Sequence, residues 1–165
     1  MLVELRLLPP MHLAYMRCTG PYGSTGGPAR TQTWGRFAAW CRQHGLDAPD
    51  RMQLGIRQDR PSTTPAELCR YDCCVEVDEN FMPSAEVAVQ DFAGGRYVCG
   101  QFSGTVEEIQ AARTHLRNEW LPSATADGAW RLMEAPLLEI YPEGYRVNAE
   151  TGALQCWLCL PIRAA

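Results

Sequence analysis

An internal repeat constrains the fold of this chain more than any other feature of its sequence. The 165 residues divide near Asp78–Asn80, and the two halves match in outline. Each half opens with a turn and an apolar strand, passes through a glycine turn into a helical stretch, and ends in two further strands. Two such units predict a duplicated β-α-β-β fold, with module 1 over about residues 1–80 and module 2 over about residues 81–165.

The helical stretch of each half carries one apolar stripe. In the first, apolar residues recur at i, i+3, i+4 and i+7, and Gly45 follows as a stop signal. In the second, Thr105 and Glu108 have the spacing of a capping box, and Pro122 marks the end. The apolar positions are Trp34, Phe37, Ala38 and Cys41 in the first stretch, and Ile109, Ala112, Leu116 and Trp120 in the second.

The strands after each helix complete the prediction of an α+β fold. Module 1 has apolar segments at residues 52–57 and 69–77, and module 2 has them at residues 137–141 and 154–162. Laid side by side, these strands form one antiparallel sheet with pseudo-twofold symmetry. We expect a single domain over residues 1–165, with both helices on one face of the sheet and a ligand groove on the other face.

Composition excludes several classes of function. The formal net charge is -4, and without a basic block the chain is not expected to bind nucleic acid directly. The 15 basic residues are all Arg, so mechanisms that need a lysine are excluded. No apolar run is long enough to span a membrane, and the charged start does not match a signal peptide, so we expect a cytoplasmic protein without membrane contact.

The eight Cys residues favour a core of reduced thiols over a disulfide framework. Most of them lie among apolar residues, as buried thiols do. The spacing of Cys156 and Cys159 places the two thiols on opposite faces of a strand, which does not suit zinc. We therefore expect no metal and no cofactor.

Glu139 is a lone acid in the middle of an apolar strand. Alternate side chains of a strand share a face, so Leu137, Glu139 and Tyr141 are expected to point into the groove while the residues between them face the helices. Withdrawal from water raises the pKa of a carboxyl group unless a cation lies nearby. The expected partner is Arg57, a bound cation or a proton; the alternative is a solvated edge position for Glu139.

Four further residues are candidates for the groove. The pseudo-twofold axis relates Arg57 to a groove position of module 2, and strand alternation places Asp72 and Trp157 on the groove face. Tyr22 lies in the glycine turn before the first helix. The structural alternatives are a surface position for Arg57 and an ion pair with Arg70 for Asp72. For Trp157 the alternative is a core position, and for Tyr22 it is packing over the helix start.

Several short motifs, in this order and spacing, resemble the GyrI-like small-molecule-binding domains, which also form the effector-binding halves of bacterial AraC-type and MerR-type regulators. The resemblance covers nearly the whole chain. The motifs are Leu8-Pro9-Pro10-Met11-x-Leu13-Ala14-Tyr15, Thr19-Gly20-Pro21-Tyr22-Gly23, the segment 64–75, Gly94-Gly95-Arg96-Tyr97, Glu119-Trp120-Leu121-Pro122, Leu138-Glu139-Ile140-Tyr141 and Cys159-Leu160-Pro161-Ile162-Arg163.

The resemblance implies a ligand groove at the pseudo-twofold axis. Drug-binding members of this family place a glutamate among aromatic residues on the matching strand, where it receives bulky organic cations. This implies a ligand role for Glu139, and with it for Tyr141 and Trp157. Arg57 departs from the aromatic or small residue that is frequent at its position, and its charge opposes a preference for cations. Because the match begins within the first ten residues, we expect no DNA-binding segment before the domain.

Two hypotheses of function follow from these observations. The first is a stand-alone bacterial protein that binds a hydrophobic, aromatic and cationic small molecule around Glu139. The second is a hydrolase, similar to stand-alone GyrI-like proteins that open cyclopropane rings in reactive natural products, with Glu139 as general base on water and Tyr141 polarising an oxygen. A weaker hypothesis is protein sequestration, such as gyrase inhibition. A homodimer, or a separate DNA-binding or gyrase partner, is compatible with each.

Overall fold

The computed structural model describes residues 1–23, 26–121 and 129–165. Within these ranges the chain forms strands, two α-helices and short helical turns. The strands are β1 (Val3–Leu8), β2 (Met11–Thr19), β3 (Gln53–Arg57), β4 (Arg70–Glu76), β5 (Ala88–Phe92), β6 (Gly95–Gly104), β7 (Trp130–Leu132), β8 (Leu137–Tyr141) and β9 (Leu154–Ala164). The helices are α1 (Gly27–Gln43) and α2 (Ile109–His115), the latter preceded by a 3-10 turn (Val106–Glu108) and continued by a π-helical turn (Leu116–Trp120); another 3-10 turn spans Ala66–Leu68.

The strands form an antiparallel sheet in the order β1-β6-β9-β8-β3-β4-β2-β5, and β7 pairs with the end of β9. This order is symmetric about the central pair, because β4 and β2 follow β3 on one side and β9 and β6 follow β8 on the other. At the centre, Gly55 lies opposite Glu139. The units β2-α1-β3-β4 and β6-α2-β8-β9 repeat one topology, and the predicted α+β fold with an antiparallel sheet and two helices is confirmed.

Both helices form at the predicted places. In α1, Trp34, Phe37 and Cys41 are buried on one face, and Gly45 adopts a φ of +67° just beyond the helix, a conformation that favours glycine. Before α2, the side chains of Thr105 and Glu108 complete the predicted capping box. The stop predicted at residue 122 lies outside the described residues. None of the helices that the structure describes is long and apolar enough to cross a bilayer.

The face of the sheet away from the helices is filled by a second core. One continuous cluster there takes buried apolar side chains from seven strands of the main sheet, and the partly buried Phe92 of β5 packs against it. Short links explain this: Pro9–Pro10 joins β1 to β2, and Ala93–Gly94 joins β5 to β6, so each link ties one edge of the sheet to a strand near the other edge. The sheet therefore curls towards this face and buries it. The cluster includes Leu8, Met11, Leu13, Leu54, Ile56, Cys74, Tyr97, Cys99, Leu138, Ile140 and Cys159.

The predicted position of the groove is therefore wrong. Leu138 and Ile140, which the sequence placed towards the helices, belong to the second core. Leu137, Glu139 and Tyr141 lie on the face that carries α1 and α2, where Tyr141 contacts the ring of Trp34. The physical reason is the tight linkage of the sheet edges, which leaves the helix-free face no room for a groove.

The expectation of fully reduced cysteines is also wrong for one pair. Cys99 of β6 and Cys159 of β9 lie directly opposite each other, with their Cα atoms 4.2 Å apart, and form a disulfide. The register of two strands that are 60 residues apart in sequence brings them together. All eight Cys lie within the described ranges, and the other six are free thiols.

Replacing Leu54 by Ala tests whether the helix-free face is a packed core. Leu54 is fully buried there, so we expect the free energy of unfolding to fall by about 3 kcal/mol through lost burial and a residual cavity. Urea denaturation measures the change. The matched control is Leu7→Ala on the edge strand β1, where the side chain is 75% exposed and little change is expected. Similar small losses in both variants would contradict a second core.

Candidate functional site

Glu139 lies at the centre of β8, on the face of the sheet that the two helices cover. It is only 5% exposed, although it is a carboxylate. Both of its oxygens are engaged. The hydroxyls of Tyr71 and Tyr141 donate to Oε1 over 2.6 and 2.9 Å, and Nη2 of Arg113 donates to Oε2. The indole Nε1 of Trp34 donates in turn to the Tyr71 hydroxyl over 3.1 Å. A buried polar network is thus satisfied around Glu139.

The network holds Glu139 in its charged form. Burial alone would raise the pKa of this carboxyl group, but the charges of Arg113 and Arg57 and the hydroxyls of Tyr71 and Tyr141 outweigh burial, and the pKa is lowered. The predicted rise in pKa, conditional on the absence of a cation, therefore does not occur. Burial, and then the charge of Glu139, raises the pKa of both tyrosines well above the usual range, so both remain donors.

Gly55 makes the network possible. Gly55 is on β3, opposite Glu139 of β8 on one side and Cys73 of β4 on the other. Tyr71 reaches across the sheet at this position. A Cβ at position 55 would overlap the Tyr71 hydroxyl and would lie 3.0 Å from Oε1 of Glu139. Any larger residue would therefore displace Tyr71 from the carboxylate.

Arg113, like Tyr71, Trp34 and Tyr145, was not among the predicted site residues, and it is the one that supplies the charge opposite Glu139. Arg113 is buried on α2, and its side chain pairs directly with Glu139. The helical spacing in the sequence indicates that Arg113 is buried. It lies four residues after Ile109 and three before Leu116, so it falls on the apolar stripe of its helix. A charged residue on a buried stripe needs a counter-charge, and the lone acid of an apolar strand is its natural partner.

A cavity of about 300 Å³ opens between the two helices above Glu139. One wall is aromatic: the rings of Trp34 and Tyr145 stack 4.8 Å apart, and Tyr141 meets each of them edge-on at 5.2 Å. The lining residues are Gly23, Arg30, Thr31, Trp34, Arg57, Tyr71, Val106, Glu107, Ile109, Gln110, Glu139, Tyr141, Tyr145 and Leu154. A volume of this size is at the lower end of the range for small-ligand sites.

A second cavity, of about 850 Å³, adjoins the first and shares Gly23, Arg57 and Gln110 with it. We call the two together the interhelical cleft. Tyr22 and Leu137 line the second cavity, as does Arg113. Tyr22, Leu137, Arg57, Glu139 and Tyr141 are thus brought to one cleft.

Arg57 lies at the junction of the two cavities, with its guanidinium 4.6 Å from the centre of the Tyr22 ring. Burial, followed by repulsion from Arg113, lowers the pKa of Arg57 to about 9, although Glu139 acts in the opposite direction. Arg57 was a predicted partner of Glu139. The structure gives that place to Arg113 and leaves Arg57 as a second cation of the cleft.

Asp72 and Trp157 are not brought to Glu139. Asp72 is fully buried on the other face, where it accepts from Arg17 over 2.8 and 2.9 Å and from Gln58 and Gln90. Its predicted alternative partner, Arg70, pairs with Asp59 instead. Trp157 packs under Arg6, with 4.1 Å between guanidinium and ring centre, and lines a different cavity. Both side chains lie on the helix-free face, whereas Glu139 lies on the face that carries the helices, so the predicted groove joined residues from two opposite faces.

Among the described residues, metal-ligating side chains do not gather near the cleft. Cys156 points into the helix-side core and Cys159 into the opposite core, as strand alternation requires. In the ranges that the structure covers, no group of three or more His, Cys, Asp or Glu side chains is placed to hold a metal ion.

Comparison with known proteins places this fold and cleft in a family. The model of the GyrI-like small-molecule-binding domain matches residues 1–163. The chain belongs to this family. Over 109 residues, covering 66% of the chain and 70% of the relative, it is 33% identical to YosT, a prophage-derived protein of Bacillus subtilis (strain 168) named as a candidate transcriptional regulator.

Solved structures agree on the fold. The GyrI-like chain superposes on the EcmrR C-terminal domain with a TM-score of 0.67 at 10% identity, over 99% of this chain and 98% of that one. SAV2435 bound to tetraphenylphosphonium matches with a TM-score of 0.61 at 16% identity, over 99% and 94%. A protein of Listeria innocua described as a hydrolase matches with a TM-score of 0.56 at 11% identity, over 98% and 91%.

Replacing Glu139 by Gln removes the charge that neutralises Arg113. We expect the free energy of unfolding near neutral pH to fall by about 3 kcal/mol, because Arg113 is then buried without a counter-charge. The folded pKa of Glu139 is lowered, so its contribution is complete above the unfolded pKa and is lost as the pH falls through the folded one. The deficit of the variant should therefore shrink in acid. Urea denaturation from about pH 7 to about pH 3 measures it.

The control for this series is Glu134→Gln, which removes an exposed carboxylate paired with Arg60 and should change stability little at any pH. The double variant Glu139→Gln with Arg113→Met should recover part of the loss, since neither charge is then buried alone. If the difference in the free energy of unfolding between the wild type and Glu139→Gln is the same at every pH, the role given to the Glu139 charge is contradicted.

Proposed function

We propose that this GyrI-like chain binds an aromatic small molecule in the interhelical cleft. The observation that carries the proposal is a cavity of about 300 Å³ whose floor is a fully paired carboxylate and whose wall is three aromatic rings. Trp34, Tyr141 and Tyr145 offer flat, apolar faces and edges to a ring system. The polar network beneath fixes their positions, because Tyr141 and Trp34 are both hydrogen-bonded within it.

The charge state of Glu139 does not support the cationic ligand that the sequence suggested. SAV2435 was solved with the cation tetraphenylphosphonium, but here Arg113 already neutralises Glu139, and Arg57 and Arg30 line the same cavity. A lipophilic cation would have to enter beside two or three guanidinium groups. The proposal therefore keeps the aromatic character of the ligand and leaves out the positive charge.

Hydrolysis with Glu139 as general base has weaker support. A general base needs a free lone pair towards water and a pKa near the working pH. Both oxygens of Glu139 accept hydrogen bonds from protein groups, and its pKa is lowered rather than raised. The likeness to a protein described as a hydrolase concerns the fold. Binding is thus the function that the geometry supports better.

Titration with N-phenyl-1-naphthylamine, a neutral aromatic dye that fluoresces in apolar surroundings, tests the proposal. We expect saturable binding to the wild type. Gln110→Trp adds bulk at an exposed position that lines both cavities, and we expect it to weaken binding by about tenfold or more. Gln43→Trp, at an exposed position at the end of α1, is the matched control. No saturable binding, or equal binding by both variants, would overturn the proposal.

Incubation with a cyclopropane-bearing alkylating natural product tests the hydrolase hypothesis. We expect no hydrolysis product above the level of a buffer control, because Glu139 is held as an ion pair. Mass spectrometry of the reaction mixture measures the product. Turnover by the wild type that disappears in Glu139→Gln, while Glu134→Gln retains it, would favour the enzyme instead.

A further inference from the structure

The charges in the interhelical cleft do not balance. The smaller of the two cavities, of about 300 Å³, is called the inner cavity here. Three guanidinium groups, those of Arg30, Arg57 and Arg113, surround this cavity or its carboxylate floor. Two acids face them: Glu139 on the floor, which is paired with Arg113, and Glu107 on the exposed rim. Even with the rim acid included, the inner cavity carries a surplus of positive charge.

Arg57 is the unpaired member of this set. Among the residues that the structure describes, its guanidinium has no ion pair or hydrogen bond, and its contact is with the ring of Tyr22. The neighbouring charges are already used, since Asp59 pairs with Arg70 and Arg60 pairs with Glu134. A half-buried cation without a counter-charge is costly, and proteins usually supply one.

Arg113 and Arg30 add unused donors. Across the described ranges, Nη1 of Arg113 and Nη1 of Arg30 are buried nitrogens without a hydrogen-bond partner. The Arg113 side chain is 5% exposed, so water does not readily satisfy it. Arg30 donates to the carbonyl of Gly23 over 3.1 Å through its other terminal nitrogen, which holds its side chain at the cleft.

We propose that the ligand of this cleft carries an anionic group, such as a carboxylate, sulfonate or phosphate, which binds the guanidinium of Arg57 at the junction of the two cavities, beside Arg30 of one cavity and Arg113 of the other. The inference rests on the proposed function and adds the charge of the ligand to it. Arg57 lies at the junction of the two cavities, so an anionic group there leaves the aromatic part against Trp34 and Tyr145. Charge-assisted hydrogen bonds from guanidinium to such groups are strong and directional.

Two dyes that differ by a single sulfonate test the proposal. N-phenyl-1-naphthylamine is neutral, and 1-anilinonaphthalene-8-sulfonate is its sulfonated counterpart. We expect the wild type to bind the sulfonate about tenfold more tightly or better, as a charge-assisted hydrogen bond allows. Binding of the neutral dye without a gain for the sulfonate would overturn this inference and leave the proposed function standing. Failure to bind either dye would overturn both.

Single substitutions test which arginine residues cause the tighter binding of the sulfonated dye. Arg57→Met should abolish the preference for the sulfonated dye over the neutral dye, and Arg57→Lys should restore part of this preference. Arg30→Met, at a partly exposed position of α1, should by itself reduce the preference for the sulfonated dye. Arg36→Met also removes one positive charge, but from an exposed position of α1, and should leave the preference for the sulfonated dye unchanged. Equal losses in Arg36→Met and Arg57→Met would overturn the assignment to the cleft.

Discussion

The described fold depends on a charged carboxylate kept out of water at its centre. Glu139 is 5% exposed, and an isolated charge there would cost several kcal/mol. The protein offsets this cost with donors from both halves of the repeat: Tyr71 from β4, Tyr141 from β8 and Arg113 from α2. Glycine at position 55 leaves the space in which these groups meet. Because both carboxylate oxygens accept hydrogen bonds from within the protein, the network is a structural element first and the floor of the cleft second.

The same pairing decides what the cleft can attract. In a GyrI-like fold a free acid among aromatic rings suits an organic cation. Here the acid is neutralised by Arg113, and Arg57 and Arg30 remain around the cavity, so the local field is positive. The aromatic wall is retained, with Trp34 and Tyr145 stacked face to face. The ligand proposed for this cleft accordingly combines an aromatic part with a negative charge.

The sequence predicts the elements of this fold well and the face of the site poorly. Periodicity locates α1, α2 and the four central strands, because their apolar stripes and alternation are local. Alternation also says which residues of one strand share a face, but the face itself depends on how strands pair. Gly55 pairs with both Cys73 and Glu139, so these three share a face. Without that register, Asp72 and Glu139 are expected on one face, although Asp72 is adjacent to Cys73 in its strand and therefore lies on the opposite face. Arg113 was recognisable, since it interrupts the apolar stripe of its own helix.

The unpaired cation at the mouth of the inner cavity is held by the structure around it. The Tyr22 ring that supports Arg57 is itself fixed, because its hydroxyl donates to the carbonyl of Arg70 and accepts from the backbone N–H of Asp59 over 3.1 Å. The neighbouring pair of Asp59 and Arg70 is bidentate and satisfied without Arg57. A guanidinium that is positioned so carefully, yet has no counter-charge among the described residues, has a cost in stability that its packing does not offset. Such local costs are typical of positions that complete their interactions only when a ligand arrives.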